Sequence, residues 1–220
     1  TNTLTVEDLQ AIKREVPSVS MVTPNVNARS QLVAGNMNWN TSVTGVSEEY
    51  PEIRKWPVAS GSFFSDSDVR TAARVIVIGQ TLADSLYPGT DPVGQDIRVL
   101  NLPFRIVGVM AKKGQDPQGR DQDEVAFAPY TTVQKKLQGV EHVSNITISA
   151  EDGVSLEEMT TQVSALLRTR HRLQPGEEDD FSVRTLEEFA TMLTATTTTM
   201  TYLLASIAAV SLLVGGIGIM

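Results

Sequence analysis

The side chains best placed to do chemistry in this sequence are carboxylates. Asp116, Asp121, Asp123 and Glu124 crowd into the stretch DPQGRDQDE. Such oxygens hold calcium when they stand at the first, third and fifth positions around a central glycine and converge on one point. Here the oxygens are present without the spacing, so the run reads as a solvated acidic loop. As the longest polar loop of its region it is also the candidate partner-binding surface, because binding residues concentrate on loops held by a rigid scaffold. A second acidic run, Glu177 to Asp180 after Pro175-Gly176, reads as a solvated turn.

The rest of the chemical inventory is thin. There is no cysteine, and the only histidines, His142 and His171, lie in separate segments. A thiolate site, a histidine zinc site and a catalytic triad therefore have little to build on. Neither the phosphate loop G-x-x-x-x-G-K-[ST] nor the nucleophile elbow G-x-S-x-G occurs. No catalytic, cofactor or metal residue is assigned, and an enzyme is the disfavoured class. With Lys+Arg 18 against Asp+Glu 26, a net charge of -8 also disfavours a nucleic-acid binder, which needs a basic face.

Three helices that would position these residues begin with the same device, a Ser or Thr followed three residues later by an acid: Thr5 with Asp8, Ser155 with Glu158, and Thr185 with Glu188. Pro17 stops the first near Glu15. The second places Leu156, Met159, Val163, Leu166 and Leu167 on one face, and Arg168, Arg170, His171 and Arg172 at its C-terminal end read as a helix end favoured by the dipole. Between these helices the pattern turns to strands. Runs at 18–26, 29–34, 37–46, 75–78, 96–100, 104–110, 125–128, 143–148 and 181–183 are separated by Gly, Pro and Asp clusters, with Gly35-Asn36 as a turn. Short helices are expected at 81–86 and 131–137. Trp39, Trp56, Phe63 and Phe64 read as core, with exposure at a loop tip as the competing reading.

The class is α+β. Two helix–strand units at the ends, residues 1–56 and 139–185, bracket a strand-rich insertion at 57–138.

Past Glu188 no side chain is charged. Leu186, Phe189, Leu193 and Met200 form an apolar stripe, so residues 186–202 are expected to be a stalk helix with a threonine-rich polar face. The stretch 203–220 is apolar or small at nearly every position and supplies Leu203, Leu204, Ile207, Val210, Leu212, Leu213, Val214, Ile217 and Ile219 as membrane-facing residues. It approaches the roughly 20 residues of a spanning helix, and Gly215, Gly216 and Gly218 suit a membrane better than a water-soluble helix. The beginning of a transmembrane helix is therefore expected here. Residues 1–20 lack the apolar core of a signal peptide, so export is expected to depend on an upstream membrane helix.

The run Gly61-Ser62-Phe63-Phe64-Ser65-Asp66-Ser67-Asp68, then Val75-Ile76-Val77-Ile78-Gly79, then Asp91-Pro92-Val93-Gly94-Gln95-Asp96-Ile97, and Ile106-Val107-Gly108-Val109, with Pro129-Tyr130 and the tail from Leu203, resembles the extracytoplasmic core domain of MacB-type ABC transporter permeases. The resemblance implies a porter-like subdomain carrying the inserted one, between the first two membrane helices of a homodimeric inner-membrane permease, in the periplasm. It implies mechanotransmission: cytoplasmic ATP cycles, run by a nucleotide-binding domain outside this chain, move the stalks and the periplasmic domains. A membrane-fusion adaptor and an outer-membrane exit duct are the implied partners, with macrolides, peptides or toxins as cargo. Lipoprotein-extraction permeases and cell-division permeases that recruit a cell-wall hydrolase are the alternatives, the latter disfavoured by the length of the insertion.

Overall fold

A computed structural model describes residues 3–116, 119–184, 200 and 204–208. Residues 1–181 form one compact unit and 182–220 a second.

The chain enters through α1 (Val6–Glu15), whose start is fixed as its sequence requires. The Thr5 hydroxyl accepts from the Asp8 N–H at 3.3 Å while Asp8 Oδ2 accepts from the Thr5 N–H at 3.0 Å, which satisfies two amides the helix leaves free. The helix ends before Pro17, and the chain passes into β1 (Val19–Ala34). Two short strands were expected here, and a single long one forms that changes partner along its length. Its first half, as far as Asn25, pairs antiparallel with β8 (Asn145–Ala150), and from Val26 onward it pairs with β2 (Met37–Val46). Gly35, at φ +56°, supplies the left-handed turn between β1 and β2.

The remaining strands are β3 (Val58–Gly61), β4 (Val75–Ile78), β5 (Asp96–Val99), β6 (Leu102–Met110) and β7 (Ala126–Pro129). Neighbours run β2, β7, β4, β6, β5, β1, and β1 pairs with β2 again, so six strands close into a barrel. Closure removes the exposed edges of an open sheet. The β2–β7 and β4–β6 pairs are parallel and the others in the ring antiparallel. β3 extends the ring by pairing with the end of β6.

Strand periodicity then sorts the side chains. Leu32, Val43, Ile76, Ile78, Ile97, Phe104, Ile106, Ala126 and Ala128 fill one buried cluster, joined by Leu82, Ala83 and Leu86 of α4 (Gln80–Leu86). The alternate residues Val77 and Phe127 face a second cluster with Tyr50, Trp56, Phe64 and Val69. That cluster is closed by α2 (Tyr50–Ile53) and α3 (Asp66–Thr71), neither foreseen from sequence, although Ser65 and Asp68 repeat the reciprocal cap seen at α1. Trp56 and Phe64 are thus core, whereas Trp39 is half-buried. After β7 comes α5 (Tyr130–Thr132), which widens into a π-helical turn over Val133–Gln138.

The second layer is small. α1 and α6 (Leu156–Arg170) pack together, and α1 covers β1, burying Leu9, Ile12, Val22, Met159, Val163 and Leu167. Leu156 remains 38% exposed, off the buried stripe it was expected to join.

Two expectations change. Residues 181–183 are not a strand; the partner of β1 is β8, which precedes α6, so the helix–strand pair expected at 139–185 is strand then helix. The boundary expected at Pro57 falls inside the barrel, because β2 and half of β1 are barrel strands. The barrel runs from Val26 to Ser144, and the chain leaves and rejoins the helical layer at one place, where Asn25 pairs with Asn145 and the Ser144 N–H donates to the Asn25 carbonyl at 2.8 Å.

The stalk residues Leu186, Phe189 and Leu193, and Leu203, Val210, Leu212, Leu213, Val214, Ile217 and Ile219 of the candidate span, lie outside the described residues. Met200, Leu204 and Ile207 are helical and well exposed. Among the described residues no helix is long and apolar enough to cross a membrane.

Candidate functional site

The acidic run occupies the connection from β6 to β7, and its shape follows from how its carboxylates are spent. Trp56 anchors the outgoing arm by donating from Nε1 to the Ala111 carbonyl at 2.6 Å, and Lys113 lies 4.8 Å over the same ring. The Asp123 carboxylate then takes the backbone N–H of Lys113 at 2.7 Å and of Gly114 at 2.8 Å, one on each oxygen. At 2% exposure it is a clamp within the loop rather than a surface charge. Asp123 is therefore unsuited to the partner-binding role assigned from sequence.

Beyond the clamp the chain forms a narrow hairpin. Gln115 bridges Asp121, and the Asp116 carboxylate accepts from the Arg120 N–H at 2.8 Å and from its Nε at 3.0 Å. Asp121 Oδ1 caps the Asp123 N–H at 2.8 Å, and Oδ2 accepts from the Thr81 hydroxyl on α4 at 2.6 Å. These hydrogen bonds, Thr81 first, hold the Asp121 carboxyl below the usual carboxylate range, with a smaller pull from Lys112. Gly79 is what lets the hairpin base sit so close to α4. A Cβ there would lie 2.1 Å from the Asp123 carbonyl oxygen, and the Gly79 N–H donates to the Val125 carbonyl at 2.8 Å.

Glu124 turns the other way. It accepts from Trp39 Nε1 at 2.9 Å and joins the wall of an open groove of about 550 Å³ along the outer face of the β1–β2 ladder. Arg29 faces Ser42 and Gln31 faces Asn40 in that ladder, and all four line the groove. Sequence reading fits Asn40-Thr41-Ser42 to a glycosylation sequon but assigns none of the four a binding role. The signal was present, since a two-residue turn at Gly35-Asn36 sets the register that pairs them.

The four acidic candidates thus do not converge: Asp116 and Asp121 shape a hairpin, Asp123 is buried, and Glu124 belongs to the groove. Among the described residues no group of three or more His, Asp or Glu could hold a metal ion. The surface they form is polar, with exposed carboxylates at Asp121 and Glu124 and an exposed guanidinium at Arg120. It can offer charge and hydrogen bonds to another macromolecule.

A family model described as the MacB-like periplasmic core domain matches residues 1–166. Across all 220 residues the sequence is 42% identical to the macrolide export ATP-binding/permease protein MacB of Azoarcus sp. (strain BH72), of which the match covers 33%. It is 35% identical to the protein of the same name from Syntrophobacter fumaroxidans, over 99% of this chain and 38% of that one. The chain spans about a third of the length of these relatives. Among solved structures, the periplasmic region of MacB from Actinobacillus actinomycetemcomitans superposes with a TM-score of 0.76 at 22% identity, covering 87% of this chain and 83% of that one. The extracellular domain of the noncanonic ABC-type transporter YknZ from Gram-positive bacteria gives 0.70 at 19% identity, covering 84% and 90%. Both likenesses are of fold.

Proposed function

Because the chain belongs to the family of MacB-like periplasmic core domains, we propose that it is the extracytoplasmic part of an ABC transporter permease and that it converts cytoplasmic ATP cycles into movement outside the inner membrane. The observation that carries this reading is the extent of the likeness to full-length relatives. It runs through residue 220, past the end of the matched domain and across the uncharged tail. Residues 186–202 then serve as a stalk and 203–220 as the beginning of a membrane helix. The helical layer, 3–25 with 145–181, stands as the porter-like part and the barrel, 26–144, as the part that meets partners. ATP hydrolysis belongs to a nucleotide-binding domain outside residues 1–220, in keeping with relatives named ATP-binding/permease proteins.

The partners proposed are a second permease copy, a membrane-fusion adaptor and an outer-membrane duct, with macrolide-type, peptide or toxin cargo expelled from the periplasm. Asp116, Asp121 and Glu124 are the proposed adaptor contacts on the barrel. In the full-length transporter, Gly-Gly at Thr197 and Thr198 weakens the stalk helix by about 1 kcal/mol per site. Export should be lost while ATP hydrolysis persists. Normal export from that variant would make the stalk a tether, and a cell-wall hydrolase or a lipoprotein chaperone recovered in place of an adaptor would move the domain to the cell-division or lipoprotein-extraction branch.

A further inference from the structure

His171 sits at the point where α6 ends, with 9% of its side chain exposed and a carboxylate at each ring nitrogen. Nδ1 is 2.7 Å from Asp180 Oδ1, and Nε2 is 3.3 Å from Asp8 Oδ2. A neutral imidazole carries one N–H and must turn a lone pair toward one of these oxygens, whereas the imidazolium donates to both.

The surrounding charges are accounted for element by element. From α1 comes Asp8, 4% exposed, which also accepts from Arg170 Nε at 2.7 Å and from the Thr5 N–H and hydroxyl at 3.0 and 2.8 Å. On α6 itself, Arg170 is committed to Asp8, while Arg168 pairs with Asp179 and donates to the carbonyls of Gln174 and Glu177, each at 3.0 Å. Arg172, the next residue, leaves the helix at φ +57°. From the turn beyond come Asp180 and the Phe181 ring, set edge-on with its centre 5.8 Å from the imidazole. Thr3 completes the arrangement by donating from its hydroxyl to the Asp180 carbonyl at 3.1 Å. Asp8 keeps three donors without the histidine, but the Asp180 carboxylate has His171 as its one hydrogen-bond partner among the described residues.

We propose that His171 is a proton-operated latch that fastens the outgoing segment of the domain, residues 172–181, to its incoming segment, residues 3–8. Protonated, the ring bridges Asp8 and Asp180. Deprotonated, its one N–H stays on the shorter contact to Asp180, the lone pair turns toward Asp8, and the outgoing segment, still held to the ring, loosens from the incoming one at Asp8. Burial alone would pull the His171 pKa down, but the bonds to Asp180 and Asp8 outweigh it and the balance is upward. The latch is thus fully closed below the ordinary histidine value of about 6.5 and is lost as pH rises through the higher folded value. At the acid end burial pushes the Asp8 carboxyl up, but the bonds from Arg170 and Thr5 more than offset this, so Asp8 stays charged to below the ordinary aspartate value.

The test uses the full chain in detergent micelles, with imidazole ¹⁵N spectra and amide hydrogen exchange recorded across pH. Only two histidines contribute signals. His171 should titrate above the ordinary histidine value of about 6.5, and protection of residues 172–181, corrected for intrinsic exchange, should fall about tenfold for each pH unit of that elevation. Asp180→Asn should lower the His171 titration point, and His171→Gln should leave the segment weakly protected with no pH dependence. Two results would overturn the latch: His171 titrating at or below the ordinary histidine value, or 172–181 keeping wild-type protection in His171→Gln, which would make His171 a packing residue.

Discussion

Leu32, Ile76, Ile97 and Ile106 have no exposed surface in the barrel, while Ile146 and Ile148 of β8, across the junction, are only half-buried. The barrel is a closed ring, and four of its strands, β2, β4, β6 and β7, place buried side chains in both clusters. The helical layer has two strands and two helices, and it compensates with directional contacts: a reciprocal cap at Thr5, a single-sided cap at Ser155, and a network joining Asp8, Arg170, His171 and Asp180. Apolar burial is indifferent to protons and tolerant of small angular shifts. Hydrogen-bonded charge is neither. The difference ties the barrel's stability to packing and the helical layer's to charge.

That contrast breaks or sharpens under substitution. The largest effect is expected in the barrel, where Phe104→Ala removes a ring that is 1% exposed and should cost about 3–5 kcal/mol, read as a shift of the denaturation midpoint. In the helical layer Asp8→Ala strips one cap and two charged partners. Because Arg170 can turn its guanidinium to water, about 2 kcal/mol is expected rather than the full penalty of a buried broken pair. A loss as large as that of Phe104→Ala would mean that both regions rest on one cooperative core. Gly79→Ala, which drives a methyl against the Asp123 carbonyl, should cost about 1–2 kcal/mol and raise amide exchange in residues 111–125 before the helices respond. Ser155→Ala should cost about 1 kcal/mol through the lost bond to the Glu158 N–H, with exchange rising only in the first turn of α6. The smallest effect is reserved for Asp121→Asn with Glu124→Gln, which keep an acceptor for the Asp123 N–H and for Trp39 Nε1; stability should stay within about 0.5 kcal/mol, and association with a proposed adaptor should slow more at low salt. An unchanged association rate would leave these carboxylates as a solvated face.

Much of this was legible where the cause is local. Thr5 and Ser155 cap as their spacing demands, Pro17 ends α1, and Gly35-Asn36 turns β1 into β2. Ring closure was not, because it depends on parallel pairs between strands far apart in sequence, and no periodicity in β2 points to β7. The boundary at Pro57 failed for the same reason, since β1 serves two sheets and nothing in its residues marks Asn25 as the point of exchange. At the acidic run, composition identified the carboxylates but not their uses. Asp123 and Glu124 are adjacent, yet the bonds to the Lys113 and Gly114 amides and the close approach at Gly79 bury one and leave the other exposed.

The junction at Asn25 and Asn145 has a consequence for how this architecture can vary. Since the chain departs and returns at paired positions on adjacent antiparallel strands, the helical layer reads helix, strand, strand, helix once residues 26–144 are set aside, and a short turn could join its strands as a hairpin. The barrel is then a cassette spliced into a hairpin tip. It can be enlarged or shortened without rethreading the helices, because its two ends lie side by side.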